Sequence, residues 1–238
     1  MANLFKRGTA NQLWCEYIVQ PHAYSPHVGE FWNTLSCIVY LFGGTFGMWL
    51  ALHCGHSWPF VYCGFMLIVV GMGSAVFHAT QSFGGEMLDE VPMALMGLGY
   101  MWCTFNMHWL TSPPYTGATF AFFHAVVFGA WAAYLFFHNY EIFQLTFVFQ
   151  VAFPSLIVLT SGPASILSSA RLAWWLFLLF IAVGRIVWDY ERWLHKNGNC
   201  PTNELDIRFW LHSIWHACSV VAQTFWMGYS GALQLAVR

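Results

Sequence analysis

Residues 58–80 read WPFVYCGFMLIVVGMGSAVFHAT and hold no Asp, Glu, Lys or Arg. A helix that crosses the hydrocarbon core of a bilayer needs about 20 mostly apolar residues. This stretch has that length and that character, so it predicts a membrane span. Its last turns interrupt the apolar run with Ser74 and His78, four residues apart and therefore on one helix face. Ionisable groups near hydrocarbon are costly and tend to be kept for pairing or function. One stretch thus sets the solvent of the fold and the place to look for its chemistry.

The flanks repeat the pattern. Of 238 residues, 58% are hydrophobic and 8% charged, far below the roughly one-quarter charged content of soluble domains. Residues 31–85, 91–140, 142–170 and 209–237 carry no Asp, Glu, Lys or Arg. Read between Gly, Pro and polar breaks at 53–57, 81–85, 112–114 and 161–165, the chain predicts seven spans. They lie near 31–53, 58–80, 87–110, 117–137, 141–160, 172–193 and 207–233, an all-α integral membrane bundle. Residues 1–29 form a polar N-terminal segment ahead of a seven-helix transmembrane domain at 30–238. That segment lacks the apolar core of a cleavable signal peptide, so the first span is expected to direct insertion. A formal net charge of −2 excludes a nucleic-acid partner, which demands clustered Lys and Arg. Membrane lipids are the expected surroundings, and no obligatory protein partner is indicated.

Seven alternating spans put the N-terminus on the same membrane face as the loops after spans 2, 4 and 6; we call it face A. All ten acidic residues fall on or near it: Glu16, Glu30, Glu86, Asp89, Glu90, Glu141, Asp189, Glu191, Glu204 and Asp206. Face B carries only Arg171 and Arg238. Longer loops on face A account for Glu16, Glu191, Glu204 and Asp206. They account less well for Glu30, Asp89 and Asp189, which sit at helix edges.

Span 2 ends with His78, and span 7 begins with His212 and His216, again four apart. All three lie at face A, with Asp89 a short loop away at the start of span 3. Three imidazoles and one open position are what a catalytic zinc site takes, because the open position activates a water. The chain has eleven histidines, so a pair at this spacing can arise by chance. His22, His27, His53, His56, His108, His124, His138 and His195 suit interfacial or hydrogen-bonding roles better. Ser74, beside two glycines, fits helix packing as well as chemistry. Asp89 fits capping of span 3 as well as proton transfer.

In order along the chain stand TrpCysGlu (14–16), GluPheTrpAsnThr (30–34), GlyMetGlySer with PheHisAlaThr (71–80), LeuAspGlu with ProMet (88–93), TrpAsp (188–189) and HisSerIleTrpHis (212–216). Together they resemble the alkaline ceramidases, within a superfamily of seven-helix membrane hydrolases that also contains the adiponectin-type receptors. The resemblance implies that His78, His212 and His216 bind zinc, that Ser74 steadies the oxyanion and that Asp89 handles the proton. It implies an amidohydrolase that cleaves the N-acyl amide of ceramide to a sphingoid base and a fatty acid. The readings set against it are an ester hydrolase acting on a related lipid, a seven-helix receptor with little hydrolysis, and a bis-histidine haem protein.

The N-terminal segment departs from the family pattern. There the segment forms a calcium site, and here Trp14, Glu16 and Glu30 are kept. However, Leu13 stands where an acidic residue belongs, and Ile18 where an Asn belongs. That leaves too few oxygens for a hard cation, which takes six or more. Zinc is therefore the expected cofactor and calcium is doubtful. As an alternative role, Glu16 or Glu30 is expected to pair with Arg185 or Arg192, and Arg185 with Asp189 at i, i+4.

Of seven cysteines, Cys37, Cys54, Cys63, Cys103 and Cys218 lie in or beside spans and read as small packing residues. Cys15 and Cys200 lie in polar face A segments and are a candidate disulfide if that face is oxidising. The positive-inside count opposes this orientation, with Lys6, Arg7, Arg192, Lys196 and Arg208 on face A. The family resemblance places the N-terminus in the lumen or outside, in an endomembrane such as the ER or Golgi.

Overall fold

The computed structural model describes residues 4–109, 117–161 and 168–237. It is helical throughout, with no strand among those residues. A short N-terminal helix α1 (Cys15–Val19) precedes α2 (Phe31–Ser36) and α3 (Ile38–His53), which meet at Cys37 as one bent span. There follow α4 (Trp58–Thr80), α5 (Phe83–Trp109), α6 (Gly117–Phe137), α7 (Tyr140–Ser161), α8 (Ser168–Lys196), a 3₁₀ turn (Ile207–Trp210) and α9 (Leu211–Val237). The break expected at 112–114, residues 162–165 of the break expected at 161–165, and Arg238 lie outside the described residues, while Ser161 is the last residue of α7.

Among the described residues four stretches are long and apolar enough to cross a membrane: Phe31–His53, Trp58–Thr80, Tyr140–Val158 and Ala170–Lys196. The chain is a membrane protein by that measure. Helix α5 is more polar because its first turns carry Glu86, Asp89 and Glu90, and α9 because it carries His212, His216 and Gln223. Phe42, Trp49, Phe136, Leu145, Leu172, Trp175 and Ile186 all point outward and are exposed, as side chains do when the solvent is lipid.

Helix α4 lies between α3 and α5; α9 packs on α8, α3 and α5; α7 leans on α5 and α6. One apolar core joins Tyr40, Phe60, Leu67, Trp174, Phe177 and Trp226. A second, between α5, α6 and α7, holds Met101, Val127, Trp131, Tyr134 and Phe143. Small residues permit close helix approach where no hydrophobic force drives it. At Gly73 a Cβ would overlap the Leu88 carbonyl and come within 3.0 Å of the Asp89 nitrogen. That contact carries Ser74, the next residue, up against the start of α5.

Helix α4 ends at Gln81, which adopts left-handed φ of 50° and returns its N–H to the Phe77 carbonyl. Helix α5 restarts at once, with the Ser82 hydroxyl accepting the Gly85 N–H at 3.1 Å. The GlyGly pair at 84–85 therefore lies inside the first turn of α5, not in the break the sequence predicts at 81–85. Glycine is needed there because a Cβ on Gly85 would meet the Phe77 backbone at 2.9 Å. With α5 starting at Phe83, Asp89 sits in the second turn, so the capping reading of Asp89 does not hold.

The last carbonyls of a helix have no partner within it. In α4 they are met by the N-terminal segment: Gly29 N–H donates to Ala79 O at 2.9 Å and Glu30 N–H to His78 O at 3.0 Å. The segment is thereby drawn over the face A end of the bundle, and Trp14, Cys15, Glu16 and Glu30 are all buried. A disulfide joins Cys15 to Cys200, in the connection between α8 and α9.

Candidate metal centre and active site

His78 from α4 and His212 and His216 from α9 meet beneath this cover, all buried. Their ring centroids are 4.8 Å (His78 to His212), 5.2 Å (His78 to His216) and 4.7 Å (His212 to His216) apart. Each Nδ1 faces its own partner. Glu30 Oε2 lies 2.5 Å from His78 Nδ1, and the Ser36 hydroxyl 2.7 Å from His216 Nδ1. Glu191 Oε2 lies 3.5 Å from His212 Nδ1, a small shift away from a hydrogen bond. His78 Nε2 is sealed from solvent and has no hydrogen-bond partner. An imidazole held at Nδ1 by a carboxylate, with Nε2 bare, is the arrangement of a metal-ligating histidine.

The carboxylates are themselves held by hydrogen bonds, one from backbone and one from a side chain. Glu191 Oε1 accepts the Cys15 N–H at 3.1 Å. Glu30 Oε2 also accepts from the Asn33 side chain at 3.0 Å. Trp14 lies against His212, the rings tilted by 36° with centroids 3.9 Å apart. Trp14, Phe77, Trp188 and Trp215 form an apolar wall round the histidines. A cavity of about 30 Å³ opens beside them, lined by His212, His216, Ser74, Asp89, Glu90, Tyr40, Arg185 and aromatic side chains. That space is enough for about one water molecule. Ser74 and Asp89 both face that cavity.

Several residues stand where the sequence did not point. Cys37 reads there as packing, yet a ligand atom from each of Cys37, His78 and His216 falls within 4.8 Å of the others. Its thiol donates to Asn33 O at 3.1 Å. Glu191 reads as a loop acid, but α8 runs on to Lys196 and Glu191 is completely buried within it. The pairing of Glu16 or Glu30 with Arg185 or Arg192 does not occur. Arg192 instead bonds Glu141 at 3.1 Å and Gln12 at 3.3 Å. Arg185 bonds Asp189 at 2.8 Å, the i, i+4 pair expected.

Glu16 caps α2: its two oxygens accept the Trp32 and Asn33 N–H groups at 2.7 and 2.9 Å. Burial pushes its carboxyl up to about 7, and the charge of nearby Glu30 adds to the rise, while those two N–H groups oppose it. The Trp14 carbonyl accepts the Ile18 N–H at 3.3 Å. Glu16 and the Trp14 carbonyl thus already accept N–H donors, whereas Glu30 Oε1 is buried with no hydrogen-bond partner.

A helical membrane bundle that buries three imidazoles, each facing a polar partner, beside a serine and an aspartate is built as an intramembrane hydrolase. The ceramidase family profile matches residues 6–237. The chain belongs to the ceramidase family. A Dictyostelium discoideum protein assigned as an alkaline ceramidase is 24% identical over 251 residues, covering 92% of this chain and 84% of that protein. An Arabidopsis thaliana alkaline ceramidase is 27% identical over 214 residues, with 87% and 79% covered. Human alkaline ceramidase 1 is 33% identical over a shorter 103 residues, with 42% and 38% covered.

Proposed function

We propose that this chain is a zinc-dependent intramembrane amidohydrolase that cleaves the N-acyl amide of ceramide to a sphingoid base and a free fatty acid. The observation that carries the metal is the bare, buried Nε2 of His78 beside two further imidazoles. His78, His212 and His216 hold the zinc, with Glu30, Glu191 and Ser36 orienting them. Zinc in such a centre supplies a nucleophile at neutral pH and a Lewis acid for the carbonyl.

The chain's own groups do the rest. Asp89, which lines the cavity together with Ser74, takes a proton from the attacking water and returns it to the departing nitrogen, without which an amine leaves poorly. The Ser74 hydroxyl donates to the carbonyl oxygen as charge builds on it. Trp14, Phe77, Trp188 and Trp215 keep other water out. The amide C–N bond breaks, one C–O bond forms, and the water's two protons end on the amine and the new acid.

The lipid setting supports the substrate. Between α7 and α8 runs an apolar groove of about 610 Å³, lined by Val148, Val151, Leu156, Leu178 and Ile181, and it shares Phe147, Arg185 and Trp215 with the small cavity. A long acyl chain fits there with its amide towards the histidines. We further propose that the chain crosses the membrane seven times, as residues 30–238, behind the N-terminal segment 1–29. A disulfide persists in an oxidising compartment, so the Cys15–Cys200 bridge supports a lumenal or outside N-terminus. Labelled ceramide and a matched ester lipid, offered to the purified protein, test the reading. Chelator-sensitive release of fatty acid from the amide supports it; release from the ester alone makes the protein an esterase.

A further inference from the structure

Helix α8 carries one cation into the wall of the site, and that cation is only partly used. Arg185 Nε donates to Asp189 Oδ2 at 2.8 Å and Nη2 to Gln144 Oε1 at 3.3 Å. Its guanidinium lies 4.3 Å over the Trp188 ring. Nη1 is sealed from solvent and has no hydrogen-bond partner, and the same is true of Gln144 Nε2. A buried donor left unsatisfied is costly, and more so when it is charged. Here two of them, one charged, belong to side chains already hydrogen-bonded to each other.

The position of Arg185 gives the shortage a direction, and Gln144 is held beside it through the hydrogen bond to its Oε1. Arg185, Phe147 and Trp215 are shared by the small cavity at the histidines and the apolar groove between α7 and α8. A ligand reaching that junction needs acceptor oxygens at its head and an apolar tail behind. We propose that Arg185 Nη1 and Gln144 Nε2 form a binding site for a long-chain carboxylate, with its tail in the α7–α8 groove. A guanidinium takes both oxygens of a carboxylate in charge-assisted hydrogen bonds. An amide carbonyl offers one neutral oxygen, so the site prefers the fatty acid to the uncleaved lipid. This rests on the hydrolase reading for the origin of the acid but not for its binding. The hydrolysed acyl group, released in the cavity that Arg185 lines, is drawn from the histidines towards the lipid.

The test is equilibrium binding of labelled palmitic acid and of 1-hexadecanol to the purified chain in lipid nanodiscs at pH 8, with and without chelator. The acid is expected to bind at least tenfold more tightly than the alcohol, with chelator present or absent. Arg185→Met removes that preference while alcohol binding persists, which shows that the groove is still formed; Gln144→Met reduces it in part. Equal binding of acid and alcohol in the wild type overturns the proposal. So does an acid preference that survives Arg185→Met, or one that vanishes on chelation, which places the carboxylate on a metal instead. No ceramide turnover enters these measurements, so a failed hydrolase reading leaves them interpretable.

Discussion

The two walls of the site are built on opposite principles. On one side α4 and α5 touch backbone to backbone at Gly73 and Leu88, and the N-terminal segment closes over the top through hydrogen bonds to the last carbonyls of α4. On the other side a groove of about 610 Å³ separates α7 from α8. The closed wall holds Ser74, His78 and Asp89; the open wall holds Arg185. The difference teaches how one bundle combines a fixed constellation with access for lipid. Groups that move protons or hold a metal need placement within a fraction of an ångström, and glycine contacts provide it. A long flexible tail needs only volume and apolar lining.

Breaking the closed wall has the largest expected effects. Asp89→Asn keeps the shape and removes the proton acceptor, so turnover of labelled ceramide falls about 10²- to 10⁴-fold while zinc content stays at the wild-type level. If turnover is unchanged, proton transfer runs elsewhere. Next comes the carboxylate behind His212. Glu191→Gln weakens zinc affinity about 10- to 100-fold, measured by competition with a chromogenic chelator; unchanged affinity removes Glu191 from the centre. Sharpening the comparison on the open wall, Ala182→Phe narrows the groove from α8. It raises KM for long-chain ceramide about tenfold, the effect of roughly 1.4 kcal/mol, while KM for a short-chain ceramide and the unfolding temperature stay near wild type. An equal loss on both substrates refutes the groove as the acyl path.

The last of these effects is a slope. Glu16 titrates near 7 in the folded chain against 4.5 for an ordinary glutamate. A raised acid binds more protons folded than unfolded, so its stabilisation is complete below about pH 4.5 and fades as pH rises through 7. Thermal unfolding across pH 4 to 8 should show that decline, and Glu16→Gln should flatten it. An identical slope in the variant assigns the decline to other groups.

Much of this was readable beforehand, for identifiable reasons. Spans longer than about 20 uncharged residues leave little choice of fold. Two histidines at i, i+4 share a face whatever the tertiary structure, so His212 and His216 were legible from spacing, and alternation of the spans brought His78 to their end. Glu191 was not, because an acid at the polar end of a span reads the same whether it faces solvent or turns inward against His212. Cys37 was not, since a thiol in an apolar run looks the same whether it packs or faces imidazoles. The restart of α5 at Phe83 was hidden by two glycines that usually mark a break and here permit a close approach. The N-terminal acids were legible as polar; only the structure shows Glu16 capping α2 and Glu30 holding His78.

The central claim is that His78, His212 and His216 hold one zinc ion that the hydrolysis requires. The direct measurement is zinc per chain and ceramide turnover on the same detergent-purified samples of wild type, His78→Ala, His212→Ala and Cys37→Ser. The account predicts about one zinc per wild-type chain, loss of zinc and turnover together in both histidine variants, and retention of both in Cys37→Ser. Turnover that persists in metal-free wild-type protein, or zinc lost from Cys37→Ser but kept by His212→Ala, would contradict it.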